Sequence, residues 1–132
     1  MKYFICALDT VHIGIPAERT ERIIPVTRVQ TAVYETENQE AFVSLPALFR
    51  QKDTAAPHGV VLKSGAESLA AGAVKTVLLT PRIDIDLEIP EESIHGLPEA
   101  LAGMFRYFRG ACFNGQGVIL ILNPVKLVEG LR

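Results

Sequence analysis

Apolar and polar residues in this chain alternate mostly at strand spacing, in short runs broken by turn-forming residues. The most organised stretch is Phe105 to Arg132, FRYFRGACFNGQGVILILNPVKLVEGLR. In its first arm Phe105, Tyr107 and Phe113 fall on one side of a period-two pattern, and Arg106, Phe108 and Cys112 on the other. Asn114-Gly115 accepts the positive φ angles of a two-residue hairpin turn. Val118 to Leu122 is an unbroken apolar run, which predicts a strand covered on both faces and interior to its sheet. Asn123 suits a helix cap and Pro124 a first helical position, after which Val125, Leu127, Val128 and Leu131 are spaced to pack.

Upstream, Tyr3 to Leu8 and Val11 to Ile15 predict a hairpin turning at Asp9-Thr10, and Pro16 closes its second arm. The segment AERTERII fits a helical turn by propensity, while Ile23-Ile24 before Pro25 fits an extended chain. Val26, Val29 and Val33 follow among polar residues, and ETENQE (Glu35 to Glu40) reads as an exposed loop or hairpin tip. Ala41 to Ser44 predicts a strand running into a short helix at LPALFR, and Asp53 to Pro57 a surface connection. His58 to Lys63 and Leu69 to Val74 predict strands flanking a turn at Ser64 to Glu67, and Lys75 to Leu79 another strand. Ile83, Ile85, Leu87 and Ile89 alternate with Asp84, Asp86 and Glu88, the pattern of a half-buried strand. Pro90 to Gly103 reads as a long connection with at most a helical turn at Glu99 to Ala102.

The succession repeats. YFICALDTVHIGIPAERTERII and VVLKSGAESLAAGAVKTVLL each read as strand, polar turn, strand; AFVSLPALF and GVILILNPVKLV each read as strand, then short helix. Many short strands without ten-residue amphipathic helices favour barrels or a sandwich over a βαβ sheet. At 132 residues, 48% hydrophobic and 21% charged, the chain is expected to form a single globular domain, residues 1–132, made of two small β subdomains. A net charge of -2 supplies no general attraction to nucleic acid or anionic lipid. The apolar run after Met1-Lys2 is too short for a secretory segment, and no stretch is long enough to span a bilayer, so a cytoplasmic protein without membrane insertion is expected.

Candidate chemistry is sparse. His12, His58 and His95 are scattered, with no pair at ligand spacing, so neither a metal nor another cofactor is expected. Cys6 and Cys112 lie within apolar strand patterns and read as buried thiols. Cys112 near Arg109 leaves one enzymatic alternative, a thiol activated by a neighbouring cation. Gly110, Gly115 and Gly117 lack the Lys-Ser/Thr of a nucleotide loop and are better explained by the hairpin. Asp84, Asp86, Glu88, Glu91 and Glu92 form an acidic ridge, read as a solvated or charge-guarded strand face or as a docking surface for a basic patch. Arg19, Arg22 and Arg28 are its basic counterparts.

Phe4-Ile5-x-Ala7-Leu8 followed by His12-Ile13-Gly14-Ile15-Pro16 is similar to the opening signature of the CheW-like family of chemotaxis coupling domains. Tyr107-Phe108-Arg109-Gly110-Ala111, then Gly117 to Pro124 and Lys126-Leu127, is similar to its closing signature. The resemblance spans nearly the whole chain. One segment departs from it: Val33 to Leu48, VYETENQEAFVSLPAL, lacks the family's Asn-Leu-Arg-Gly, and Ser44 stands near the usual aspartate.

The resemblance implies a mainly β fold of two interleaved five-stranded Src-homology-3-like barrels with short helices. It also implies a non-catalytic adaptor that couples a histidine kinase, through its regulatory domain, to chemoreceptors by protein–protein contacts, with self-association as a further option. Carried onto this chain, its partner-binding positions are Ile15, Glu18, Thr20, Arg22, Arg109 and Gly110. The alternatives are a small thiol-dependent enzyme using Cys112 and a structural or regulatory β subunit that no longer couples receptors.

Overall fold

The computed structural model describes residues 1–9, 11–51, 55–63, 75–97, 106–114 and 117–131. Among these the chain is mainly β, in two five-stranded sheets. Its strands are β1 (Lys2–Ala7), β2 (His12–Pro16), β3 (Thr20–Pro25), β4 (Tyr34–Glu37), β5 (Glu40–Ser44), β6 (His58–Leu62), β7 (Lys75–Thr80), β8 (Arg82–Glu88), β9 (Phe108–Asn114) and β10 (Gly117–Leu122). Helix α1 (Leu45–Leu48) follows β5 and helix α2 (Pro124–Leu131) follows β10, with 3-10 turns at Ala17–Arg19 and Glu91–Ser93.

The chain divides into two compact units, one built from residues 1–18 and 84–132 and the other from residues 19–83. The first holds the sheet β8-β1-β2-β10-β9, the second the sheet β3-β6-β7-β5-β4. Taken as β8, β9, β10, α2, then β1 and β2, the first unit has the same succession as β3, β4, β5, α1, β6 and β7, and the strands occupy equivalent places in both sheets. In each sheet a single parallel pair, β2 with β10 in the first and β5 with β7 in the second, joins antiparallel neighbours on either side. The sequence repeat of strand pair and strand-then-helix therefore has a topological basis. Among the described residues no ladder closes either sheet into a barrel; β8 and β9, and β3 and β4, stand at the sheet ends.

In the first unit β10 lies between β2 and β9, as its apolar run predicts, with Ile119 to Leu122 buried. One face of this sheet carries Tyr3, Ile5, Cys112, Ile119 and Ile121, packed with Ile89. The outer end of the hairpin departs from the expected pattern. Asn114 pairs with Gly117 and so ends the strand rather than opening the turn; Gly115 lies outside the described residues. Leu122 pairs with Phe108 and Ile121 with Gly110, so Arg109 is an inserted, bulged residue. That bulge resets the period-two parity; Phe113, 68% exposed, pairs with Val118, also exposed, at the open end of the hairpin, while Ala111 and Leu120 on the same face are buried. The helix start is as read: Lys126 N–H donates to Asn123 Oδ1 (3.2 Å) and Leu127 N–H to the Asn123 carbonyl (3.1 Å).

In the second unit AERTERII resolves into both of its readings, a 3-10 turn over Ala17–Arg19 and then β3. Asn38 and Gln39, at φ 51° and 64°, make the tip of the β4–β5 hairpin inside ETENQE, so the charged residues before it are strand rather than loop. The alternating strand at Ile83 to Ile89 is β8, but at the sheet end its inward set is incomplete: Leu87 is exposed while Ile89 is buried. The strand expected at Leu69 to Val74, the turn at Ser64 to Glu67 and the helical turn at Glu99 to Ala102 lie outside the described residues.

Gly59 shows why one position tolerates no side chain. It sits on β6 opposite Ile24 and Leu79, and a Cβ there would lie 2.7 Å from Val26 Cγ2 and 2.8 Å from Val77 Cγ1, both on stiff β-branched side chains. Gly59→Ala is expected to destabilise the protein by about 1–3 kcal/mol through overpacking. Gly96→Ala, where nothing lies within 4 Å of the added Cβ, should stay within about 0.5 kcal/mol of wild type. Urea denaturation of the two variants checks the contrast.

Candidate functional site

The second unit carries a cavity of about 830 Å³ beside the face of its own sheet. Cross-strand pairing places Ile24, Gly59, Leu79 and Ser44 in one row of that face, and Arg22, Val61, Val77, Phe42 and Glu35 in the next. The chain leaving β3 at Pro25 runs back across it as a strap, residues 26–33, without regular secondary structure. Val26, with Ile24, Phe42 and Ala56, packs on Val61, Val77 and Leu79, and the missing side chain of Gly59 makes room for it.

Polar contacts hold the strap at both ends and in the middle. Val26 N–H donates to the Pro57 carbonyl (2.9 Å), and Ser44 N–H to the Val33 carbonyl (2.9 Å). Between these anchors the Gln30 amide donates to the carbonyls of Ala32 and Phe42, both at 3.0 Å, while its Oε1 accepts from Arg28 Nε at 2.9 Å. The Arg28 guanidinium stacks 4.5 Å above the Phe42 ring and pairs with Glu35 and Glu37. Arg28 is thus a local tie within this unit.

Val26, Val33, Pro46, Ala56, Pro57 and Leu79 give the cavity an apolar lining, and Arg28, Gln30, Ser44, Arg50 and Gln51 its polar groups. No acidic side chain is among the described lining residues. Ser44 Oγ accepts from Ala47 N–H (3.2 Å) and starts α1. The helix ends with Arg50 N–H on the Ala47 carbonyl (3.0 Å) and Gln51 N–H on the Pro46 carbonyl (2.8 Å), a Schellman arrangement. Arg50 occupies its left-handed position at φ 58°, where glycine is usual.

None of the six partner-binding positions expected from sequence lines this cavity. Ile15, Glu18, Arg109 and Gly110 belong to the first unit, Thr20 and Arg22 to the second. Ile15, at 0% exposure, is core; Thr20 and Gly110 are also buried, and Glu18, Arg22 and Arg109 are exposed. Gly110 has a structural reason to be glycine: an added Cβ would lie 2.4 Å from the His95 carbonyl oxygen, where His95 bridges to Ala111. The bulge aims the Arg109 guanidinium at Glu91, with Tyr3 Oη 3.4 Å away.

Cys112 is 6% exposed within the apolar cluster, its Sγ donating to the Phe113 carbonyl at 3.9 Å, so it lacks the access that thiol chemistry needs. Cys6 and Cys112 are separated by strands β2 and β10. On the acidic ridge, Asp86 lies 3.7 Å from Lys2 Nζ and Glu88 accepts from the Met1 amino group. Among the described residues no three His, Cys, Asp or Glu side chains gather as metal ligands, and no helix is long and apolar enough to cross a membrane.

No family model matches the chain, and no curated protein matches it in sequence. Its fold has a counterpart. The chain is similar to the scaffolding protein TtCheW from Thermoanaerobacter tengcongensis, with a TM-score of 0.68 over 92% of this chain and 83% of that one. The two are 14% identical, so the likeness is one of fold. A mainly β chain of two sheets with few helices is consistent with the CheW fold. The strap residues that shape the cavity were missed as a site from sequence; their one visible signal was Val26, Val29 and Val33 spaced through polar chain, of which Val29 is 93% exposed.

Two outcomes follow. Gln30→Ala removes the donor from the exposed carbonyl of Ala32 and the part-buried carbonyl of Phe42, so a loss of about 0.5–1.5 kcal/mol is expected. Hydrogen exchange should quicken across residues 26–33 more than in β6 and β7. A separate ion pair, Lys75 Nζ on both oxygens of Glu21 at 2.9 and 2.7 Å, holds the Glu21 carboxyl below its ordinary range, first by that hydrogen bond and then by the charges of Lys75 and Arg22. Because the folded-state value is depressed, the contribution is present above the unfolded value and lost as pH falls through the folded one. Lys75→Ala should raise the Glu21 pKa in a carbon-13 NMR titration, and the stability difference from wild type should vanish in acid.

Proposed function

We propose that this protein is a non-catalytic signalling adaptor of the CheW type, joining a chemotaxis-type histidine kinase, through its regulatory domain, to chemoreceptors or related partners. The observation that carries this reading is the fold likeness to a scaffolding protein over 92% of the chain. The burial of Cys112 also counts against the thiol-enzyme alternative. Recognition is by surface contacts, for which Glu18 and Arg109 of the first unit and Arg22 of the second supply exposed charge, while Ile15, Thr20 and Gly110 are buried within their own units. Charged residues at such a surface set orientation and association rate more than total affinity.

The test is titration calorimetry of the full chain against the regulatory domain of the cognate chemotaxis kinase. Saturable one-to-one binding is expected, and absence of binding at tens of micromolar, a level that still detects weak specific association, would remove the proposal. The charge reversals Glu18→Lys and Arg22→Glu should each weaken binding roughly tenfold while leaving the melting temperature within a few degrees. Cys112→Ser should leave binding unchanged.

A further inference from the structure

The cavity under the strap combines features that the adaptor reading does not use. Its lining is largely apolar, and its volume, about 830 Å³, falls in the range of sites that enclose a small organic molecule. Two guanidinium groups border it and no described lining residue is acidic. Arg28 is already neutralised by Glu35 and Glu37, which leaves Arg50 as the cation open to a ligand. Arg50 is exposed and makes no ion pair among the described residues.

One further observation bears on what would enter. Arg50 keeps a left-handed backbone at a helix end where glycine would relax it, so the position holds a cation against local conformational preference. An anion for Arg50 and an apolar body for the walls define one chemistry.

We propose that the cavity formed by residues 26–33, α1 and residues 55–57 binds a small amphipathic carboxylate, an acid group on a medium-length acyl chain. Arg50 takes the carboxylate, and Val26, Val33 and Leu79 enclose the acyl chain. Pairing with an exposed guanidinium gives moderate affinity, so exchange with free ligand is rapid. The site would let the adaptor respond to a metabolite.

N-octanoylglycine is the probe, titrated into the full chain by calorimetry and by amide NMR. Saturable binding between roughly 10 μM and 1 mM is expected, with shifts in residues 26–33 and 46–51. Its primary amide, which lacks the charge, should bind roughly tenfold more weakly. Arg50→Gly should lose the preference for the acid over the amide while melting no lower than wild type, and Arg50→Lys should retain it. Absence of saturable binding at about 5 mM, equal binding of acid and amide, or an unchanged preference in Arg50→Gly would each overturn the proposal. Tighter binding of an N-acetylated apolar tripeptide would assign the cavity to a polypeptide end instead. Kinase binding is measured separately, so either result leaves the adaptor reading to its own test.

Discussion

The parallel pairing of β10 with β2 is the constraint on which the first unit depends. Ile119, Leu120 and Ile121 lie against His12, Ile13 and Gly14, joining the two ends of the chain across everything between them. Without that seam β1–β2 and β9–β10 are separate hairpins, and an isolated two-stranded hairpin is marginal in water. With it, the apolar faces of both become one surface carrying Tyr3, Ile5, Cys112, Ile119 and Ile121. Complete burial of each large aliphatic side chain there contributes about 1.5–3 kcal/mol, enough together to offset the loop closure that so distant a pairing requires. The second unit uses the same device at shorter range, through β5 and β7.

Places where the strands depart from regular pairing are where the surface acquires its chemistry. The β3–β6 pairing steps past Glu21, and the β9–β10 pairing steps past Arg109. In both cases the extra residue is charged and is turned out of the ladder toward a partner, Lys75 for Glu21 and Glu91 for Arg109. Close backbone approach is the complementary device. Gly110 lets the His95 carbonyl reach β9, and Gly59 lets the strap lie on its sheet. These glycines are needed for the space they leave, since neither has a positive φ.

The functional reading and the cavity rest on different kinds of observation. The adaptor reading comes from how the whole chain folds, because a scaffold acts through surfaces that its fold presents. The cavity comes from local features: a left-handed arginine at a helix end and an apolar space whose described lining includes arginines but no acid. Features of this sort concentrate where a protein does something other than hold itself together.

Much of this architecture was legible from the order of residues. The β1–β2 hairpin, the central apolar strand with its capped helix, the short helix after Ser44, and the doubled succession of elements all follow from local periodicity, proline and cap chemistry, which act within a few residues of themselves. What periodicity could not supply was anything set by pairing across distance. The bulge at Arg109 inverts the parity of the strand around it, so Tyr107 and Phe113, which share a side by spacing, no longer do. The three arginines grouped by composition are placed apart in role, Arg28 being spent on its own strap. The cavity is formed by segments that no motif joins, 26–33, 46–51 and 55–57. Local chemistry chose the elements; register and long-range contact chose which way each side chain points, because those depend on the partner strand and not on neighbours in the chain.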